Sequence, residues 1–291
     1  MEVTVYSNAV DFLRKAGDVL RSDEARYGLI YGITRLVDAD PHHYGEEDPF
    51  FCVVSDGHDI NAMAWRTPPY PVGLAWHAGD PEEAVALLIQ TIHGRWAEIP
   101  AVTGHREVTD PFAHRWCRDY GVSIASTMAQ RLYRLDSVSD VPSVRGHMRR
   151  AAPADKDLVS GWRHSFMVEA INEAARSIPE RDITPFIEKG LIHLWECPEG
   201  PVCMVMKGRP TDHGMSINLV YTPPEFRRHG YATACVADIC RDTLKSGYDF
   251  CTLYTDLSNP ISNSIYMKIG FKPVCDSVEY AFSPPSHPGG I

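Results

Sequence analysis

Apolar residues recur at helical three-and-four spacing over residues 8–22: Val10, Phe12, Leu13, Ala16, Val19 and Leu20 fall on one side, and Asn8 stands where a cap belongs. Leu29 to Ile33 opens a second helical stretch. Phe50 to Val54 and Ile60 to Arg66 then flank the turn Asp56-Gly57-His58-Asp59 and predict a hairpin. Beyond a proline-rich bend lie a short strand, Val72 to Trp76, and a helix opened by Asp80-Pro81 with Ala84, Leu87, Leu88, Thr91 and Ile92 inside. Ala101 to Gly104 reads as a strand, Asp110-Pro111 as the start of a helix closing at Tyr120-Gly121, and Ala125 to Leu135 as an alternating strand. Residues 137–145, broken by proline and serine, read as a linker.

The pattern then starts over. His147 to Ala152 is a strand, Ala154 to about Asn172 a helix, Asp182 to Lys189 another, and Leu191 to Cys197 with Val202 to Lys207 a hairpin. Both halves run helix, helix, hairpin, strand, helix, strand, short helix, glycine, strand. The tail from Ser283 to Gly290, rich in proline and glycine, has no means of building a core.

The most informative stretch runs from Met215 to Leu244. Alternation predicts a strand with Ile217, Leu219 and Tyr221 on one side and Ser216, Asn218 and Val220 on the other, stopped by Pro223-Pro224. Ala232, Cys235, Val236, Ile239, Cys240 and Leu244 then form one face of a helix. The turn between them leads into free amides and the positive end of the helix dipole, which attract anions. Gly230 lets the backbone approach a diphosphate, and Arg227 and Arg228 add charge. The turn is neither a P-loop nor a GxGxxG loop.

Arg227-x-x-Gly230-x-Ala232, between strand and helix, resembles the acyl-CoA signature of the GNAT N-acetyltransferase superfamily. A second resemblance follows in order: Phe250 to Thr255 is a strand, Asp256 to Pro260 a turn, and Ser262 to Phe271 is similar to the family's Asn-to-Tyr-to-Gly-Phe segment, with Tyr266 and Gly270-Phe271 in register. The Asn-to-Tyr spacing is shorter than usual, so Asn263 and Asn259 both remain candidates for the asparagine. With its two like halves the chain is similar to tandem GNAT proteins. The implied fold class is α/β (α+β): two tandem GNAT-like domains, each a mixed, mostly antiparallel central sheet flanked by helices. Residues 1–136 would be a degenerate copy, since the equivalent turn reads Gly79-Asp80-Pro81-Glu82-Glu83 and repels diphosphate. Residues 137–145 would be the linker and 146–291 the active domain with a loose tail.

The 291 residues carry a formal net charge of -10, which argues against non-specific nucleic-acid binding and is compatible with a cationic acceptor. No apolar run has the length of a membrane span, and the acidic N-terminus lacks the features of a signal peptide. Eight cysteines without a CxxC pair, and thirteen histidines without ligand spacing, predict a reduced cytoplasmic protein with no metal.

The resemblance implies transfer of an acetyl group from acetyl-CoA (coenzyme A) to an amine of a small molecule. It assigns pantetheine to the main chain of Leu219, Val220 and Tyr221 and the diphosphate to Arg227, Arg228, His229, Gly230, Tyr231, Ala232 and Thr233, with Asn259 or Asn263 on the far side. Tyr266 takes the place of a general acid for the departing thiolate, its reference pKa of about 10 being close enough to that of a thiol. No carboxylate stands on the central strand, which offers only Ser216 and Asn218. Glu169, Glu173, His164 and Asp256 are candidate bases, with a relay through water as the alternative, and Glu169 and Glu173, four apart, are candidate acceptor contacts. The alternative is a CoA-binding regulatory or structural protein without turnover.

Overall fold

The computed structural model describes residues 1–170 and 182–283. These form two compact units, divided between Gln130 and Arg131 and again between Val274 and Cys275.

The first unit opens with β1 (Glu2–Tyr6), α1 (Ala9–Ser22) and α2 (Gly28–Ala39). Asn8 caps α1, its Oδ1 accepting from the Asp11 amide at 2.8 Å. The hairpin β2 (Phe50–Asp56) and β3 (Asp59–Arg66) follows, then β4 (Val72–Trp76) and α3 (Pro81–Arg95), capped by Asp80. β5 (Ala101–His105) and α4 (Arg106–Tyr120) complete the half. The last helix begins four residues before the expected Asp110-Pro111, so Pro111 lies inside it. That proline breaks only the local bond ladder, while Val108, Thr109 and Phe112 are buried around it and hold the turn.

The outer strand of this sheet comes from the far end of the chain. β12 (Lys272–Ser283) pairs antiparallel with β5, Ser277 to Ala281 facing His105 to Ala101, giving the order β1-β2-β3-β4-β5-β12. The boundaries expected at 136 and 146 therefore differ from the compact units, because a buried strand belongs to the core it covers: Val278 and Tyr280 pack with Phe112 and Trp116. The second unit in turn includes the end of β6 (Ser123–Leu135), whose Tyr133 and Leu135 are buried in its core.

The second unit has the order β6-β11-β10-β9-β8-β7, with β7 (His147–Arg150), β8 (Ile192–Cys197), β9 (Gly200–Gly208), β10 (Gly214–Tyr221) and β11 (Phe250–Asp256). α5 (Lys156–Ala170) and α6 (Thr184–Glu188) enclose a core with Leu219 and Tyr221. α7 (Tyr231–Lys245) and α8 (Pro260–Ile269) enclose another with Met215 and Ile217. The expected alternation along β10 thus fails midway, and Ile217 does not share a face with Leu219 and Tyr221. The cause is a bulge: from Asn218 to Tyr221, three residues along, β9 advances only two, from Met206 to Met204. Leu219 takes φ 53°, and the extra residue carries everything after it to the other face.

Candidate active site

β10 and β11 run parallel, yet their pairing covers only Gly214 to Ser216 against Phe250 to Thr252. Past that point, among the described residues, no ladder joins them, and the bulge lies in the separated part. The main chain of Leu219, Val220 and Tyr221 edges this opening. Two buried polar atoms near it, Asn218 Nδ2 and Thr222 Oγ1, have no hydrogen-bond partner. Buried polar atoms are nearly always satisfied, and an orphan next to an opening is what a ligand or water completes.

A 3-10 turn over Pro224–Phe226 brings the chain to Arg227, Arg228, His229 and Gly230. Arg228 has φ 67° and Gly230, the N-cap of α7, φ 81°. The glycine provides no side-chain cap, so the amides of Tyr231, Ala232 and Thr233 at the head of the helix stay open to an anion. A Cβ at Gly230 would stand 3.0 Å from Val144 Cγ1 in a backbone region that disfavours side chains. His229 Nδ1 donates to the Phe226 carbonyl at 3.2 Å, and its ring stacks on Tyr231 with centroids 5.5 Å apart. The turn is thus fixed by its own contacts, and its residues fit a diphosphate.

Arg227 is already engaged. Its Nε donates to the Thr222 carbonyl at 2.9 Å and its Nη2 lies 2.5 Å from Glu169 Oε2, while the Tyr221 hydroxyl donates to Glu169 Oε1 at 3.0 Å. Burial, with the Glu169 carboxylate next to it, raises the Tyr221 phenol above its ordinary value. Of the other acceptor-side candidates, Asp256 holds its own turn, accepting from the Ser258 amide and hydroxyl at 2.7 and 2.6 Å. Ser216 Oγ accepts from Arg209 at 3.1 Å. His164 is exposed on α5, and Glu173 lies outside the described residues. Arg209, with φ 46°, and Trp162, whose ring is 6.4 Å from that of Tyr221, join the site with no motif to announce them.

Tyr266, on α8, packs edge to face with Phe271 at 5.9 Å and is buried in the core beneath β10. Burial, with the Cys203 and Cys240 thiols nearby, raises its phenol far above the ordinary value. Its hydroxyl makes no hydrogen bond among the described residues. The two asparagines separate clearly. Asn263 Nδ2 donates to the carbonyls of Asp256 and Asn259 at 2.9 and 2.7 Å, and its Oδ1 accepts from Tyr133 at 2.9 Å, so its amide is consumed within the core. Asn259 caps α8, its Oδ1 accepting from the Ser262 amide at 3.0 Å, which leaves its NH2 group for a ligand.

The equivalent turn of the first unit is built against anions. Asp80 Oδ1 accepts from the Glu82 amide at 2.9 Å, and Glu83 pairs with the amino group of Met1 at 3.1 Å. Carboxylates there fill the cap. Among the described residues no group of three His, Cys, Asp or Glu side chains is arranged to hold a metal ion, and no helix is long and apolar enough to cross a membrane.

A splayed parallel pair, a bulge and a glycine-capped turn into a helix define the GNAT fold, present here as a tandem of two units. Residues 204–280, most of them in the second unit, match the family model described as FR47-like protein. Similar solved structures include a GCN5-related N-acetyltransferase from Sphaerobacter thermophilus, 14% identical over 96% of this chain and 94% of that one, TM-score 0.58. An acetyltransferase from the GNAT family of Colwellia psychrerythraea is 10% identical over 97% and 100%, TM-score 0.54. A tandem GNAT protein from the clavulanic acid biosynthesis pathway is 14% identical over 98% and 100%, TM-score 0.52. At such identities the likeness is one of fold. No curated protein matches the chain.

Proposed function

We propose that the protein transfers an acetyl group from acetyl-CoA to the amine of a small molecule, using the second unit alone. The observation that carries this reading is the end of β10–β11 pairing at Ser216 and Thr252, directly before a turn whose helix cap is a bare glycine. Acetyl-CoA supplies the activated acyl carbon. The main chain of Leu219, Val220 and Tyr221 orients it by hydrogen bonds that β11 does not take. Arg227, Arg228, His229 and Gly230, with the amides of Tyr231, Ala232 and Thr233, receive the diphosphate, and the Asn259 NH2 contacts the cofactor from the other side.

Tyr266 acts as a hydrogen-bond donor to the departing sulfur. Its raised pKa keeps the phenol protonated throughout the working range, and a phenol so much weaker as an acid than a thiol donates without giving up its proton. The acceptor ammonium must shed a proton before attack. With Asp256 tied into its turn, that proton leaves through water at the site's mouth.

The second reading, a CoA-binding protein without turnover, draws on that same lack of a free carboxylate. Titration with acetyl-CoA, followed by measurement of CoA release with a panel of primary amines, separates them. Binding of one equivalent with amine-dependent release supports the enzyme, binding without release supports the second reading, and no binding refutes both.

A further inference from the structure

Glu169, in the last turn of α5, ties that helix to the anion turn. One carboxylate oxygen lies 2.5 Å from Arg227 and the other accepts from Tyr221 at 3.0 Å. Arg227 also lies over the Tyr221 ring, 5.8 Å from its centroid. The two charged side chains are 44% and 41% exposed, so they can change partners without disturbing the core. A guanidinium donates to the paired oxygens of a carboxylate and of a phosphate in the same way. In the free protein Glu169 therefore stands in for the anion that the turn is shaped to receive.

The stripe of α5 that ends at Glu169 is aromatic. Trp162, Phe166 and Glu169 are spaced four and three apart and share one stripe of α5, which packs on the Tyr221 end of β10. A carboxylate at the end of a half-buried aromatic stripe suits an ammonium on an apolar body, through charge and cation–π attraction together.

Resting on the proposed acetyl transfer, we infer that the Glu169–Arg227 pair is exchanged on binding. The diphosphate takes Arg227, and the freed carboxylate, still held by Tyr221, receives the ammonium of an arylalkyl or alkyl amine lying on Trp162 and Phe166. Cofactor and acceptor then bind with positive coupling, and each raises the other's affinity by the same factor. Glu169 is a specificity residue that competes with one ligand and recruits the other.

Calorimetric titration of CoA into the wild-type protein and Glu169→Gln tests this, with phenethylamine titrated into each with and without saturating CoA. Loss of the competing carboxylate should tighten CoA about two- to fivefold, the range an exposed ion pair supports. Phenethylamine should bind the wild-type protein more tightly with CoA present, and should bind Glu169→Gln about tenfold or more weakly in both states. If Glu169→Gln binds CoA no more tightly than wild type, or phenethylamine ignores CoA, the exchange is overturned while acetyl transfer stands. If the wild-type protein does not bind CoA at all, the underlying reading falls and the exchange with it.

Discussion

In the first unit, His105 Nδ1 lies 3.3 Å from both the amide and the carbonyl oxygen of Trp76, and its Nε2 3.2 Å from the Arg26 carbonyl. β4 and β5 pair in parallel only from Val72 to Leu74 against Val102 to Gly104, and the imidazole fills the place just past that pairing. Gly104 makes the approach feasible, since a Cβ there would fall 1.9 Å from the Leu74 carbonyl oxygen. Where the second unit leaves strand groups open, the first closes them with its own side chain.

The expected stoichiometry with acetyl-CoA is therefore one. Arg227→Glu combined with Gly230→Glu should abolish binding with the fold retained, while His105→Ala should add no second site, because Asp80, Glu82 and Glu83 still head α3. A crystal soaked with acetyl-CoA should show density at the Gly230 turn and none near Asp80.

Tyr266→Phe should lower kcat about 10- to 100-fold, the loss of one hydrogen bond to developing charge, with acetyl-CoA affinity within about twofold. The wild-type rate should show no falling limb from this phenol up to about pH 10, since its pKa is raised by burial. Steady-state kinetics beside calorimetry would read both.

Two asparagines four residues apart should part company. Asn263→Ala breaks three hydrogen bonds, one buried and two half-buried, and should cost about 2–3 kcal/mol of stability. Asn259→Asp keeps an oxygen for the Ser262 amide, so thermal melting should barely move, yet it exchanges the free NH2 for a negative charge and should weaken CoA binding about tenfold.

His193 is 2% exposed on β8, its Nδ1 lacks a partner, and burial with the nearby Lys207 pushes its pKa down to about 4. The unfolded chain, with an ordinary value of about 6.5, binds this proton first as pH falls, so the stability it contributes is complete above about pH 6.5 and lost toward pH 4. The loss is on the order of 2–3 kcal/mol. Denaturant melts at pH 7.5 and 4.5 should show a smaller difference for His193→Gln than for wild type.

What the sequence determined by itself was whatever is settled within a few residues. Asn8, Asp80 and Asn259 cap helices through amides two or three positions on, and Gly121 and Gly270 end helices in left-handed geometry. The turn proposed for the diphosphate could be picked out for the same reason: arginines, glycine and the helix head are contiguous. Tertiary structure decided the rest. The Oδ1 of Asn263 accepts from Tyr133, 130 residues away, which no local spacing reveals. A single extra residue at Leu219 turns Tyr221 toward α5 and so toward Glu169, and a period of two holds no trace of where register will slip. The last strand completes the first unit because its buried face fits that core, and burial of apolar surface takes no account of chain order.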